Sequence, residues 1–363
     1  MNNRIVGMRL TYLLLAIILT IYSLIQAREF LYPLAFGVLI AYLLYPIVNF
    51  LEKKGVPRIL SILIPLLIAI VLVVFLAVFV VKRMNLFLED MPYFREKAID
   101  HINEIQKYVE SYFNISAEKL KNLMVSGLFD LERRSGRVFE TTAGTLFSLL
   151  MQPVFVFLFL FYRTKFAIFI LQLAGRKNRL VTIKILREIA TVVTRYMLGV
   201  TSVVIILCVF NSAGLLIIGI KYPLLFGVVS ALFSFIPYFG NFIGGSIPFL
   251  FALLTEDSLT YAFRVFVFVY IIHFFENNIL SPLIVGNNIR LNPFVIILGL
   301  IAGAMIWGIP GMLVTIPFLA MLNIIMKRIP GMQAYAYLMG PRGTRQHALS
   351  LTNIKRIIGR FKR

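Results

Sequence analysis

The residues of this chain best able to do chemistry are Glu276, the Asn277 that follows it, and His273 one helical turn earlier. They lie at the end of an apolar stretch, and an ionisable side chain inside a membrane is expensive and usually functional. A carboxylate in that setting can bind a cation or exchange a proton. We therefore predict that Glu276 and Asn277 bind a solute or an ion. The alternative is that Glu276 caps a helix or forms a structural pair at the membrane interface.

Composition places the chain among integral membrane proteins. Of its 363 residues, 60% are hydrophobic and only 14% are charged. The charge-poor stretches have the length of helical membrane spans, for which roughly 20 residues suffice. They cover residues 10–27, 30–51, 59–81, 141–162, 196–220 and 258–275. We predict an all-α, polytopic integral membrane protein with about eight transmembrane segments, including two broken, re-entrant hairpins in the C-terminal half.

Two further apolar runs, 222–255 and 291–326, are 34 and 36 residues long, which is far more than one span needs. Glycine and proline interrupt the first run at 237–245 and the second at 307–311. Each half has about 13 to 16 residues, or roughly 20 to 24 Å of helix, which is shorter than a hydrocarbon core about 30 Å thick. We predict that both runs fold back as re-entrant hairpins; the alternative is a pair of kinked helices.

The backbone at each break cannot face lipid, because unsatisfied N–H and C=O groups there cost several kcal/mol each. The breaks must therefore be buried in protein or line a wet cavity, where transporters bind solutes. Asn211 in the fifth span could face the same cavity, although asparagine within spans often only bonds a neighbouring helix. Besides Glu276 and Asn277, the predicted ligand residues are Asn211, Tyr238, Gly240, Asn241, Gly308 and Gly311.

The charges of the loops predict the topology. Residues 163–195 carry eight Lys or Arg and one acid, and 327–363 carry nine and none, whereas 82–140 carry ten of each sign. By the positive-inside rule the first two segments and both termini are cytoplasmic, and 82–140 is extracytoplasmic. The same rule favours hairpins, because they place the acidic pair Glu256-Asp257 outside and Arg290 inside. With that topology, 196–254 and 258–326 form an inverted repeat, a plan common among transporters.

We divide the chain into six regions. These are three N-terminal transmembrane helices (1–81), an extracytoplasmic helical segment (82–140), a fourth transmembrane helix (141–162), a cytoplasmic basic amphipathic helix (163–195), a transport core with both hairpins (196–327) and a basic cytoplasmic tail (328–363). In the second region, apolar residues between Ile99 and Tyr112 recur at helical spacing. We expect that apolar stripe to pack on a neighbouring helix at 117–131 or on another subunit.

The sequence contains no catalytic or cofactor-binding motif. It has no Cys or His spacing typical of a metal site, no Gly-x-x-x-x-Gly-Lys-Ser/Thr loop and no Gly-x-Ser-x-Gly turn. We therefore expect no cofactor, no enzymatic activity and no ATP coupling within the chain. The net charge of +20 collects in loops beside spans, which argues against nucleic-acid binding. The single cysteine, Cys208, lies within a span and forms no disulfide framework.

An ordered series of motif residues runs through nearly the whole chain. Its members are Tyr196-Met197-Leu198-Gly199, Gly214 to Gly219, Ile236-Pro237-Tyr238-Phe239-Gly240, Pro248, Glu276, Pro282, Gly286, Leu291-Asn292-Pro293, Gly303, Gly308, Gly311 and Pro317. This series resembles the autoinducer-2 exporter (AI-2E) family of bacterial and archaeal membrane transporters. The chain departs from the commonest family pattern at Phe239, where a small or branched residue is usual, and at Asn241, where proline is usual.

The resemblance implies an all-helical permease of the cell inner membrane that exports small polar solutes such as autoinducer-2 and forms homo-oligomers. Some relatives resemble sodium/proton antiporters, so the alternative function is a cation/proton antiporter in which Glu276 carries the coupling ion. A third hypothesis is a membrane scaffold that transports nothing and acts through residues 82–140. The expected partners are a small solute, H⁺ or Na⁺ as coupling ion, membrane lipid and further copies of the chain.

The hairpin topology predicts that residues 255–258 lie on the same side of the membrane as 82–140, opposite the C-terminus. Two full crossings would instead place 255–258 on the side of the C-terminus. Epitope tags inserted after Asp257 and after Arg363 can be probed in intact and permeabilised cells. We expect only the first tag to be accessible from outside; cytoplasmic positions for both tags would contradict the hairpins.

Overall fold

Helices form every regular element that the computed structural model of the chain describes, and no strand occurs within the described residues. Those residues are 2–94, 96–99, 143–236, 239–256, 258–286 and 291–341. Six of the helices are long and apolar enough to cross a membrane, which confirms the predicted all-α polytopic membrane class. The amphipathic stripe predicted to continue to Tyr112, the helix predicted at 117–131, Tyr238 and the tail beyond 341 lie outside the described residues.

Eleven helices and one π-helical segment follow one another in the described parts of the chain. They are α1 (Asn2–Gln26), α2 (Arg28–Lys53), α3 (Arg58–Glu89), α4 (Ala143–Leu173), α5 (Gly175–Ile218), α6 (Pro223–Phe233), α7 (Phe239–Thr255), α8 (Leu259–Phe275), the π-helix (Glu276–Val285), α9 (Pro293–Trp307), α10 (Ile309–Arg328) and α11 (Gln333–Met339). Helix α5 has 44 residues and joins most of the basic segment 163–195 to the fifth span without a break. No glycine or proline between 176 and 198 interrupts it.

The described helices belong to two compact units, and α3, α4 and α5 each contribute to both. The first unit is formed from 1–63, 151–197 and 287–363. In its core, buried apolar side chains of α2, α5 and α10 pack together, among them Leu39, Val193 and Val314. The second unit is formed from 64–150 and 198–286 and contains α6, α7, α8 and the π-helix.

The second long apolar run forms a helical hairpin, α9 and α10, within the first unit. Pro293 occupies the first turn of α9, and the side chain of Asn292 accepts a hydrogen bond from the Phe294 N–H at 3.1 Å, which caps the helix. The run breaks at Gly308, whose φ of +66° suits glycine. Near the turn the two backbones touch, because a Cβ at Gly311 would overlap the carbonyl of Gly303. The predicted break and fold-back are therefore present.

The predicted length of 13 to 16 residues for each arm is wrong for α10. Helix α9 has 15 residues, but α10 has 20, because it continues past the apolar run through Lys327 and Arg328. At the helical rise α10 is about 30 Å long, which is enough to cross a hydrocarbon core. Re-entry of this hairpin as two short arms is therefore not required by length.

The first long apolar run forms a second hairpin, α6 and α7, with arms of 11 and 17 residues in the second unit. Ser230 Oγ donates a hydrogen bond to the Gly244 carbonyl at 2.5 Å, which links the two arms. A Cβ at Gly240 would overlap the carbonyl of Phe233, and one at Gly244 would lie 2.6 Å from the carbonyl oxygen of Ser230. The arms therefore meet backbone to backbone, as small residues spaced four apart permit.

Tyr222 holds the start of this hairpin against the end of α3. Its φ of +58° is uncommon for a residue other than glycine. The Tyr222 hydroxyl donates to Asp90 Oδ2 at 2.6 Å, and the Leu86 carbonyl lies 3.0 Å away. Partial burial and the Asp90 carboxylate raise the pKa of Tyr222 to about 12, so the hydroxyl stays protonated at neutral pH. The Phe94 ring contacts the Tyr222 ring and also packs against Phe251, with 5.0 Å between the ring centroids of the two phenylalanines.

We expect Gly240→Ala to destabilise the protein by about 1–3 kcal/mol, because the added methyl would meet backbone that cannot rotate away. Ile243→Ala is the control, since Ile243 is exposed on the same helix and its truncation should cost less than about 0.5 kcal/mol. Thermal unfolding of both variants in detergent micelles measures the difference. Equal melting temperatures would mean that the two arms do not touch at Gly240.

Candidate functional site

Glu276 is the one carboxylate that the described part of the chain buries almost completely, with 5% of its surface exposed. It begins the π-helix that continues α8. Its Oε2 lies 3.2 Å from His273 Nδ1, a hydrogen-bonding distance at which either group can carry the proton. Burying a carboxylate is costly unless it is paired or protonated, so Glu276 depends on His273 or on a proton.

The π-helix around Glu276 has a local cause in the sequence. Pro282 lacks an N–H, and its ring would clash with the carbonyl four residues earlier in an α-helix, which favours a wider turn. Gly286, with a φ of +63°, ends the segment. π-helical turns are rare and frequently occur at functional sites. The sequence thus places an unusual backbone at the candidate carboxylate.

His273 packs against a bare stretch of α7. A Cβ at Gly245 would lie 2.9 Å from His273 Nε2 and 2.5 Å from Val269 Cγ1, so only glycine leaves room for the ring. Nε2 is buried and has no hydrogen-bond partner among the described residues. One nitrogen of the imidazole therefore faces Glu276, while the other is an unused polar group beside the Gly245 backbone.

The register of α7 and α8 places Glu276 at the level of the break in the first hairpin. The rings of Phe249 and Phe266 lie 5.7 Å apart, and Gly245 lies against Val269 and His273. The two helices therefore run antiparallel, and one turn further back on α7 corresponds to one turn further along α8. By this extrapolation Asn241, one turn before Gly245, lies at about the level of Glu276.

The other predicted ligand residues of the second unit differ in their burial and in their position relative to Glu276. Asn241 is half-buried in the first turn of α7, and Gly240 beside it is buried against the other arm of the hairpin. Asn211 is buried in α5 of the same unit. Asn277 is exposed although Glu276 is buried, because successive residues of a helix point in different directions. The structure does not bring Asn277 together with Glu276.

Gly308 and Gly311 belong to the first unit, and there they shape the second hairpin. Gly308 supplies the turn between α9 and α10, and Gly311 allows the two backbones to touch. Trp307 donates from Nε1 to the Leu24 carbonyl at 2.9 Å. Within the first unit these residues therefore have packing contacts, and their role as ligands stays a prediction.

Sequence reasoning missed Ser212, a buried polar residue of the second unit. Ser212, next to Asn211, is buried, and its Oγ has no hydrogen-bond partner among the described residues. A Cβ at Gly227 would overlap Ser212, so α6 lies directly on this serine. The signal available in the sequence was the adjacent pair Asn211-Ser212 inside a charge-free span.

The geometry suits proton exchange better than tight metal binding. Among the described residues, no group of three or more His, Cys, Asp or Glu side chains could hold a metal ion. A carboxylate and an imidazole in contact can share or pass one proton. An all-helical, multi-pass membrane protein with broken helices and a buried carboxylate paired with a histidine has the features of a membrane transporter.

The chain belongs to the AI-2E transporter family, whose model matches residues 13–331. It is similar to YrrI of Bacillus subtilis (strain 168), a provisionally assigned transport protein, with 30% identity over 304 residues, or 81% of this chain and 85% of YrrI. It is also similar to the AI-2 transport protein TqsA of Escherichia coli (strain K12), with 21% identity over 348 residues, or 92% of this chain and 96% of TqsA. The predicted resemblance is confirmed, and the chain is a transporter of this family.

We expect a cysteine at position 241 to be reachable from water at membrane depth. In a Cys208→Ser background, which removes the only native thiol, Asn241→Cys should react with a small polar thiol reagent. Phe263→Cys is the control, because Phe263 is 65% exposed on apolar α8, where lipid should exclude the thiolate that reacts. We expect a rate at least about tenfold higher at position 241. Equal, slow labelling at both positions in every transport state would show that the break is dry.

Proposed function

We propose that the protein is a secondary transporter of the cell inner membrane that exports a small polar solute of the autoinducer-2 kind. The observation that carries this proposal is the buried Glu276, paired with His273, at about the level of the break in the α6–α7 hairpin. The similarity to TqsA, which is named an AI-2 transport protein, supports the solute class. The departures at Phe239 and Asn241 fall beside the proposed site and bear on which solute it accepts.

The proposed mechanism follows from the cost of a buried charge. When Glu276 is ionised, it needs the His273 imidazolium or another donor close by, whereas a protonated Glu276 is neutral and has no such need. A proton that arrives or leaves therefore changes which arrangement of the hairpin and the π-helix is favoured. A solute that binds one arrangement better than the other is then coupled to that proton.

The proposed orientation and assembly rest on the distribution of charge. Basic residues in 163–195 and 327–363 favour cytoplasmic positions for these segments and for both termini. The balanced segment 82–140 is then extracytoplasmic and is proposed to contribute to a homo-oligomer. Residues 196–327 form the transport core in this proposal.

A cation/proton antiporter is the second candidate, because the Glu276 carboxylate beside His273 can bind either a proton or a cation. Glu276 could exchange H⁺ for Na⁺, with backbone carbonyls of the widened helix completing the sodium ligands. The two functions differ in whether an organic solute moves. Purified protein in liposomes, tested for autoinducer-2 efflux and separately for sodium-dependent proton flux, distinguishes them. Solute efflux driven by a pH gradient supports the exporter; sodium-dependent proton flux with no solute movement supports the antiporter and overturns the exporter.

We expect Glu276→Gln to lower the transport rate by about tenfold or more, equivalent to about 1.4 kcal/mol, while folding and membrane insertion stay intact. The amide keeps the shape and can still bond His273, but it can neither lose a proton nor carry a negative charge. Glu256→Gln is the matched control, because it makes the same chemical change at the connection between α7 and α8. Initial rates in liposomes across a range of pH measure both variants.

The pH profile separates a coupling role for Glu276 from a structural one. Loss of the pH dependence in Glu276→Gln, with Glu256→Gln unchanged, is the result that we expect. Wild-type rates with an unchanged pH profile in Glu276→Gln would make Glu276 structural. His273→Gln, measured in parallel, should shift the pH dependence of the rate if the imidazole takes part in the same proton exchange.

A further inference from the structure

A cluster of charged side chains in the first unit has no part in the proposed transport site. It joins Glu52 at the end of α2, Arg58 at the start of α3 and Arg163 in α4. Arg163 Nη2 forms an ion pair with Glu52 Oε2. Arg58 Nη2 donates to the Leu160 carbonyl at 3.4 Å, one helical turn from Arg163 on the same face of α4.

The cluster has more hydrogen-bond donors than acceptors. Arg58 Nε and Arg163 Nη1 are buried and have no partner among the described residues. Glu52 neutralises one of the two guanidinium groups, and its Oε1 is also buried without a partner. The set therefore carries one uncompensated positive charge and two buried guanidinium nitrogens without acceptors, an arrangement that an anionic acceptor would stabilise.

Aromatic rings hold both guanidinium groups in place. Arg163 Cζ lies 5.3 Å from the centroid of the Tyr45 ring, and Arg58 Cζ lies 5.6 Å from that of Phe161. Such cation–π contacts orient the planar groups and leave their edges to bond a partner. The first residue of α3 is Arg58, so the positive end of that helix adds to the attraction for an anion.

The surroundings select the kind of anion. Beside the cluster, Ile59 and Leu60 on α3 and Leu158 on α4 are exposed and apolar, as in surfaces that face acyl chains. Lys53 and Lys54 follow Glu52 and are exposed to water. The cluster thus lies where apolar helices end and basic residues begin, which is the depth of phospholipid headgroups.

We propose that Arg58 and Arg163 bind the phosphate of an anionic phospholipid. The phosphate oxygens accept from the half-buried guanidinium groups of Arg58 and Arg163, and the acyl chains lie along the exposed apolar faces of α3 and α4. Free inorganic phosphate shares the chemistry of the headgroup but gains nothing from the apolar surroundings. The bound lipid ties the connection between α2 and α3 to α4.

The test compares lipid binding by wild-type protein, Arg58→Gln and the control Lys165→Gln, which removes an exposed lysine of the same helix as Arg163. The purified, full-length protein in micelles is titrated with phosphatidylglycerol or phosphatidylcholine, and bound lipid is counted by native mass spectrometry. In parallel, thermal unfolding measures how far each added lipid, or inorganic phosphate, stabilises the protein. These measurements use about 0.5 M salt, which screens the diffuse attraction between anions and exposed lysines but weakens direct contacts less. We expect Arg58→Gln to bind phosphatidylglycerol about tenfold more weakly, whereas Lys165→Gln binds it like wild type.

Three outcomes would overturn the proposal. One is equal phosphatidylglycerol binding by Arg58→Gln and wild type, and another is an equal loss in Lys165→Gln. The third is stabilisation of wild type by inorganic phosphate as large as that by phosphatidylglycerol, which would identify a free-anion site instead. If Arg58→Gln does not fold, Arg58→Lys keeps the charge but lacks the Nε donor, and wild-type binding by that variant would equally overturn the proposal.

Discussion

The structure depends on one constraint, which is that backbone N–H and C=O groups cannot be left unbonded inside a membrane. A break in an apolar helix exposes such groups, so it survives only where other protein or water covers it. Both hairpins meet this constraint with glycine. Gly240 lies against the Phe233 carbonyl in one hairpin, and Gly311 lies against the Gly303 carbonyl in the other. Each unit therefore contains a broken helix whose backbone is held by a second backbone.

The same constraint explains why the candidate carboxylate lies where it does. Glu276 occupies a segment whose backbone is already irregular, because Pro282 prevents a regular α-helix there. His273 reaches Glu276 from the preceding turn and fits beside α7 only because Gly245 has no side chain. A buried acid, a partly buried histidine and a break in the adjacent hairpin are thus brought to about one level of the second unit. In water none of these groups would be costly. Inside a membrane a charged side chain or an unbonded backbone group raises the free energy unless another polar group lies close to it.

The sequence predicted the parts of this arrangement that are local. Apolar run lengths located the helices, and glycine with proline located the second break at Gly308, because these residues act on their own stretch of backbone. The first break was predicted too far along the chain: α6 ends at Phe233 and α7 begins at Phe239, so most of the predicted interruption at 237–245 is helical. Features that depend on neighbouring helices were not predictable. The contact of His273 with Gly245 and the exposure of Asn277 both require the register of α7 against α8. The length of α10 was underestimated because apolarity marks a hydrophobic run, whereas a helix can continue through charged residues such as Lys327.

Hydrogen–deuterium exchange of the protein in lipid nanodiscs tests most directly whether the break beside Glu276 is wet. The peptides to compare are those covering 239–245, at the start of α7, and 262–269, in the middle of α8. We expect the amides of the first peptide to exchange while those of the second remain protected, because only the first adjoins water at membrane depth. Equal protection of both peptides, at acidic and at neutral pH, would contradict a water-filled site at this break and leave Glu276 as a structural acid.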